Sequence, residues 1–292
     1  MIQTLTDINL DDLAAAFGWQ DSPFLRRSLA AVFGRMARKF AGQMLAYDAR
    51  VGQAGLSDGA RRTLPGYVRS LRVFGRDRLP ASGPALFLSN HPGMSDTLCL
   101  FAAISRPDLR IIALRRPFLQ ALPRTSEYLI YLDEDPAARM GAVRKTAAHL
   151  RSGGSLLTFP AGKIEPDPDV YPGALQALQD WTDSTAVFAR FAPDLRIVPV
   201  LVRGVLWDRA VRHPLTRLKA GREDRERLGA SFQLLMQILF DLTPVAVRVQ
   251  FAAPIGLEEV GSTGTAAIQE AVLGRMRDLL QNPPAEAGAE AL

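Results

Sequence analysis

The chain has 292 residues, 48% of them hydrophobic and 22% charged, which allows a sizeable core and excludes global disorder. Its formal net charge of +5 suits an anionic partner such as phosphate, nucleic acid or anionic lipid, and serves solubility equally well. A single cysteine, Cys99, excludes an internal disulfide and a Cys-rich zinc site; among Leu98, Leu100 and Phe101 it reads as a packing residue.

The N-terminus, MIQTLTDINLDDL, has acidic residues and no basic leader, so it does not read as a secretory signal. No stretch reaches the roughly 18–20 apolar residues that span a bilayer. The expectation is a cytoplasmic protein, peripheral on the inner face of the membrane.

Residues 1–66 read as helical. From Leu25 onward, Leu29, Val32, Phe33, Met36, Phe40 and Met44 recur at helical spacing, while Arg27, Arg35 and Arg38 project away from that stripe. Such a helix docks on its own domain or lies on an anionic membrane surface, and one helix can do both. Gly52, Gly55 and Gly59 loosen the segment, and Leu64-Pro65-Gly66 marks its end.

Short β-rich runs follow at Leu71–Phe74, Ala85–Leu88, Arg110–Leu114, Tyr128–Leu132, Ser155–Phe159, Arg196–Val202 and Val245–Phe251. Several are continuously apolar, as strands covered on both faces are. Helical stretches alternate with them, notably Ala137–Arg151, Gly173–Arg190 and Arg222–Leu242, and a closing helix runs over Ala266–Gln281. This alternation predicts an α/β fold, a layered, mixed but largely parallel sheet flanked by helices, over residues 67–282 after an N-terminal helical extension. The tail, residues 283–292, is predicted to be disordered.

Only three histidines occur. One of them, His91, follows the strand Ala85–Leu88 in the stretch LFLSNHPGMSD, at the place where α/β sheets collect function. Pro92 disfavours helical geometry at His91 and suits the first position of a helix. Asp96 falls five residues on. Within one helix that spacing separates side chains by about 140°; with His91 outside the helix, its ring can fold back to Asp96. A carboxylate on one imidazole nitrogen fixes the tautomer and stabilises the imidazolium, leaving the other nitrogen to accept a proton. No G-x-S-x-G elbow surrounds Ser89 or Ser95, which makes a substrate hydroxyl a candidate for the reacting group; a serine hydrolase with water as final acceptor is the other. The bland alternative is that Asn90 and His91 satisfy backbone groups in a turn.

A second strand-end loop, SLLTFPAGKIEP, places Pro160 and Gly162 after Phe159. Gly162 permits close backbone approach to a ligand, and Lys163 supplies a point charge for phosphate. A plain β-turn fits the same residues. His149 reads as part of a solvated helix face beside Arg144, Lys145 and Arg151, and Trp181 and Trp207 suit packing or a membrane interface.

In this order the segments resemble the glycerolipid acyltransferase superfamily, typified by lysophosphatidic acid acyltransferases. Those enzymes carry N-H-x-x-x-x-D after a strand, a basic strand-end segment, a strand closing on an aspartate-arginine pair, F-P-E-G-T-R, and a strand containing V-P. This chain has Asn90-His91…Asp96, Ala113-Leu114-Arg115-Arg116, Tyr131-Leu132-Asp133, Phe159-Pro160-Ala161-Gly162 and Ile197-Val198-Pro199-Val200, and the match covers about residues 70–255. Four positions depart from the pattern. Ala161 replaces the glutamate, Lys163-Ile164 replaces the threonine-arginine pair, and Glu134 replaces the arginine of the preceding block.

The resemblance implies transfer of an acyl group from acyl-CoA or acyl-carrier protein to a lipid hydroxyl, with His91 and Asp96 catalytic and no metal or further cofactor. It implies a substrate-binding role for Asn90, Gly93, Phe159, Pro160, Gly162 and Lys163. Arg115, Arg116 and Arg139 are the candidates to replace the family's phosphate-holding arginines. The acceptor is then a lysolipid or another hydroxylated lipid. The expected partners are that acceptor, the acyl thioester and an anionic membrane surface; the basic residues are too scattered for nucleic acid. A non-catalytic lipid-binding protein of the same fold is the competing reading, and the oligomeric state is left open.

Overall fold

A computed structural model describes the chain except residues 94, 134, 219–220, 262–263, 285–289 and 292. In chain order the helices are α1 (Ile2–Phe17), α2 (Pro23–Thr63), α3 (Asp96–Ile104), α4 (Pro117–Gln120), α5 (Pro123–Ser126), α6 (Pro136–Arg151), α7 (Ala174–Ala177), α8 (Ser184–Phe191), α9 (Asp208–Val211), α10 (Arg222–Phe240), α11 (Leu257–Val260) and α12 (Thr265–Gln281). The strands are β1 (Ser70–Phe74), β2 (Ala85–Ser89), β3 (Leu109–Leu114), β4 (Leu129–Leu132), β5 (Ser155–Thr158), β6 (Arg196–Arg203), β7 (Ala246–Phe251) and β8 (Glu290–Ala291).

Local chemistry explains the starts of two long helices. Ser22 caps α2 by accepting from the Leu25 N–H at 3.4 Å, and Asp135 caps α6 by accepting from the Ala138 N–H at 2.8 Å; proline follows each cap. Inside α2, Gly55 adopts φ +81° and ψ 172°, so the helix breaks there, as its glycines suggested.

One sheet runs in the order β4-β3-β5-β2-β6-β7-β1-β8. Strands β4, β3, β5, β2 and β6 are mutually parallel; β7 lies antiparallel to β6 and parallel to β1. This is the expected α/β architecture, mixed and largely parallel. β2 is buried along its whole length because it has a parallel partner on each side and helices on both faces. Its side chains alternate. Ala85 and Phe87 join the core beneath α2 and α3, whereas Leu86 and Leu88 join the core beneath α6, α8 and α12. The N-terminal helices are part of the first core: Met44, Tyr47, Val51, Leu56 and Ala60 of α2 pack with Leu71, Val73 and Phe87. Cys99 is fully buried in that same core.

Three expectations need correction. The stretch Gly173–Arg190 is not one helix. Trp181 takes an extended conformation (φ −69°, ψ 121°) between a 3-10 turn at Leu178–Asp180 and α8, because its indole and the following amide bond to the loop after β5. Val32 lies outside the buried stripe of α2, at 65% exposure; the seam with α10 is narrow and is filled by Met36, Phe33, Phe40, Leu235 and Ile238. His149 is no surface residue of a solvated face. Its Nε2 lies 2.9 Å from the Asp108 carbonyl and 3.0 Å from that of Ser155, in space left by the missing side chain of Gly154. The tail predicted to be disordered lies mainly outside the described residues; Glu290 and Ala291 pair with Val73 and Arg72.

Candidate active site

Because β2, β3, β4 and β5 run parallel, the loops that leave their C-terminal ends emerge at one edge of the sheet. His91 leaves β2 there. Gly93 has φ +89°, a conformation that lets the loop curl so that its N–H reaches Asp96 Oδ2 at 2.7 Å. That same oxygen is 2.8 Å from His91 Nδ1. The other carboxylate oxygen accepts from the Thr97 backbone N–H and, at 2.9 Å, from its hydroxyl. Asp96 opens α3 and is 1% exposed, so a buried negative charge sits at a helix N-terminus among four donors. A carboxylate partner places the proton on Nδ1 and the lone pair on Nε2.

The His91 ring stacks on Phe159, with centroids 4.2 Å apart and planes 26° apart. Its side chain keeps 28% exposure. Burial of the ring opposes protonation, but the charge and hydrogen bond of Asp96, with Glu165 adding its own field, outweigh that, and the His91 pKa lies above its ordinary value.

Glu165 is the residue that sequence reasoning missed. It is 3% exposed; one carboxylate oxygen accepts from the His91 backbone N–H at 3.0 Å and the other from Trp181 Nε1 at 2.8 Å. Its own N–H donates back to the His91 carbonyl at 2.9 Å. Burial pushes its pKa up to about 7, against the lowering effect of the Trp181 and His91 bonds. The available signal was an acid just beyond the FPAGK turn, in the run Glu165-Pro166-Asp167-Pro168-Asp169.

From His91 an apolar channel of about 510 Å³ runs between the sheet and helices α2, α3 and α10. Phe40, Phe101, Ile111, Leu122, Leu129 and Leu234 give it its greasy walls, and Thr158, Phe159, Gly162 and Lys163 stand at the histidine end. A concave apolar space with a few convergent polar groups is the usual form of a small-molecule site.

The structure brings His91, Asp96, Phe159, Gly162 and Lys163 together, with Arg116 also on the channel wall. Asn90 is placed elsewhere: its amide exchanges two 2.8 Å bonds with the backbone of Val202 and so stitches the loop to β6. Pro160 offers its carbonyl to Thr182 N–H at 3.2 Å. Arg115 forms a bidentate pair with Asp133, the longer bond 3.0 Å, and lies over the Tyr131 ring. Arg139 is exposed on α6 and does not line the channel. Lys163 pairs with Asp180 at 3.1 Å. Glu134 lies outside the described residues. The amides of Gly93 and Gly162 are committed to Asp96 and to the Phe159 carbonyl. Among the described residues no group of His, Cys, Asp and Glu is disposed to hold a metal ion, and no helix is long and apolar enough to cross a membrane.

Fold and site together define a class: an α/β protein with a histidine–carboxylate pair at the strand ends, facing an apolar channel. Residues 70–203, the segment that holds the His91–Asp96 pair and the Phe159–Gly162 loop, match the family model named Acyltransferase. No curated protein is significantly similar in sequence. Among solved structures the chain is similar to the 1-acyl-sn-glycerophosphate (LPA) acyltransferase PlsC from Thermotoga maritima, at 15% identity and a TM-score of 0.44 over 86% of this chain and 84% of that one.

Proposed function

We propose that this protein is a lipid O-acyltransferase that moves a fatty acyl group from a thioester, acyl-CoA or acyl-carrier protein, to a hydroxyl of a lysolipid or related lipid. The observation that carries the reading is the His91–Asp96 pair opening onto a 510 Å³ apolar channel. His91 Nε2 takes the proton from the acceptor hydroxyl as the oxygen attacks the thioester carbonyl. Asp96 holds the imidazole and stabilises its positive charge. The tetrahedral oxyanion collapses, the C–S bond breaks, and the leaving thiolate takes the proton from the imidazolium, giving an ester and a thiol.

The oxyanion needs a donor. Ser95 lines the channel next to Asp96 with its hydroxyl turned inward beside Cys99, and a rotation of that side chain toward the channel would bring a donor to the oxyanion. Among the described residues Arg115 and Lys163 are paired to Asp133 and Asp180, while Arg116, on the channel wall with Asp12 as its neighbouring carboxylate, is our candidate to meet an acceptor headgroup. The surface reading supports a peripheral position on an anionic bilayer: Phe24 and Val32 on α2 are 75% and 65% exposed among Arg27, Arg35 and Arg38, and Phe240 at the end of α10 is 61% exposed.

The test is incubation of the pure protein with labelled acyl-CoA or acyl-carrier protein and a panel of lysolipids, read by mass spectrometry. Ester formation that disappears in His91→Ala supports the reading; equal transfer by the two proteins overturns it. Liposome binding without thioester consumption would favour the non-catalytic alternative.

A further inference from the structure

The layer of helices on the far side of the sheet from the channel carries a surface that the proposed reaction leaves unused. There α6 and α8 lie side by side, with Ala142 and Leu150 of one and Ala186, Phe188 and Ala189 of the other in a common core. From Pro136 to Arg151, α6 has four cations and no acid. Met140, Arg144, Ala148 and Arg151 are spaced to share its outer side, with Lys145 beside them, and all five are exposed. On α8, Val187, Arg190 and Phe191 share the outer side in the same way. The acids nearest in sequence, Asp135 and Asp183, stand at the N-terminal caps of the two helices.

Elsewhere surface arginines hold acids: Arg50 holds Asp58, Arg115 holds Asp133, Arg196 holds Glu258 and Arg275 holds Glu259. Among the described residues, Arg144, Lys145, Arg151 and Arg190 form no such pair. Attraction to the helix C-terminus accounts for Arg151 but not for Arg144 and Lys145 in mid-helix. Met140, Val187 and Phe191, at 53%, 42% and 36% exposure, stand among these cations. Singly exposed apolar side chains are ordinary; methionine, aromatic and arginine side chains together are the composition of a protein interface. A small anionic ligand takes a concave site, and this is the convex outside of two helices. Nor does the surface face the proposed bilayer: Phe24, Val32 and Phe240 belong to α2 and α10, which cover the opposite face of the sheet. The position of α6 suits delivery to the site. It begins at Pro136, four residues after β4 ends at Leu132, at the edge where the His91 loop emerges.

We propose that the outer face of α6 and α8 docks an acidic acyl-carrier protein, whose thioester arm passes around the border strand β4 to His91. This rests on the reading of the protein as a thioester-dependent acyltransferase, and it selects the carrier protein over acyl-CoA as the donor. Complementary charge steers and orients such a partner, and the three apolar side chains bury against it.

The experiment is fluorescence anisotropy of labelled palmitoyl-acyl-carrier protein titrated with the full-length protein, beside a titration with vesicles containing phosphatidylglycerol. The wild type is expected to bind the carrier, more weakly as salt is raised. Arg144→Glu combined with Lys145→Glu should weaken that binding about tenfold or more. Arg27→Glu combined with Arg35→Glu on α2 changes the net charge equally and should leave carrier binding within about twofold. In turnover the α6 variant should raise the KM for the carrier thioester by a similar factor and leave that for palmitoyl-CoA unchanged. No carrier binding by the wild type, equal loss in the two variants, or an α6 variant that loses only vesicle binding overturns the inference. Carrier binding that depends on α6 without thioester consumption sinks the acyltransferase reading and leaves the docking face standing; transfer from palmitoyl-CoA without carrier binding does the reverse.

Discussion

The two loops that meet at the His91 ring are built in opposite ways. The first, between β2 and α3, closes mostly on itself: the Gly93 N–H bonds Asp96, the Asp96 N–H bonds the Gly93 carbonyl, and His91 folds onto the same carboxylate. The second, between β5 and α7, is held by distant partners. Glu165 reaches His91 and Trp181, and Asp167 accepts the backbone N–H groups of Gly204, Val205 and Leu206 at 2.8–3.0 Å. One loop holds the His91–Asp96 pair; the other ties that loop to the rest of the molecule.

Substitutions can separate these two roles. The largest effect belongs to the short loop. His91→Ala is expected to lower the acyl-transfer rate by about 10²–10⁴-fold with little loss of stability, measured by single-turnover transfer beside a thermal melt. Unchanged turnover would leave the pair without a catalytic role.

Next comes the tie of that loop to β6. Asn90→Ala leaves the buried N–H and carbonyl of Val202 without their partners and is expected to cost about 2 kcal/mol, read from urea unfolding. A rise in KM at full stability would instead return Asn90 to the substrate.

Glu165→Gln tests the long loop. A carboxylate accepts from both His91 and Trp181 and adds a charge that favours the imidazolium; a neutral amide does neither in full. The acidic limb of the rate profile, where His91 loses its proton, should move to lower pH. Stability should respond with a definite sign. The folded state raises the Glu165 pKa from 4.5 to about 7, so it holds that proton more tightly than the unfolded chain does. Stability then falls as pH rises between those values, by roughly 3 kcal/mol in all. His91 acts in the same direction: its raised pKa lends stability that is complete below the unfolded value and is lost as pH climbs through the folded one. Replacing Glu165 should flatten the part of the decline between 4.5 and 7, measured by denaturation across that range.

The smallest effect is expected at Arg115. Its pair with Asp133 is half-exposed, so Arg115→Ala should change stability by less than about 1 kcal/mol and leave the KM for the acceptor unchanged. A large rise in KM would show that the pair opens to receive a headgroup.

The same contrast explains what the sequence disclosed. The strands were legible because their apolar runs are short and continuous, and β2 could be placed from four residues, Ala85–Leu88. The His91–Asp96 contact was legible because proline, glycine and a helix start lie within six positions. Glu165 was not legible, since its partners are an amide 74 residues before it and an indole 16 residues after it. Trp181 hid the same link: helical periodicity runs through Gly173–Arg190, and a tertiary hydrogen bond overrides it. His149 was misplaced because its acceptors, the carbonyls of Asp108 and Ser155, belong to no pattern along its own helix. The basic residues around the site were visible, but not the acids that occupy them.

Strand order carries a consequence for how such a protein changes over generations. His91 follows β2, which is hemmed in by β5 and β6, whereas Arg115 and Asp133 leave β3 and β4 at the border of the sheet. Insertions and exchanges at a border disturb few neighbours, while those at the centre disturb many. On the proposed reading, the Arg115–Asp133 edge can therefore drift among descendants of this chain while the His91–Asp96 pair stays anchored.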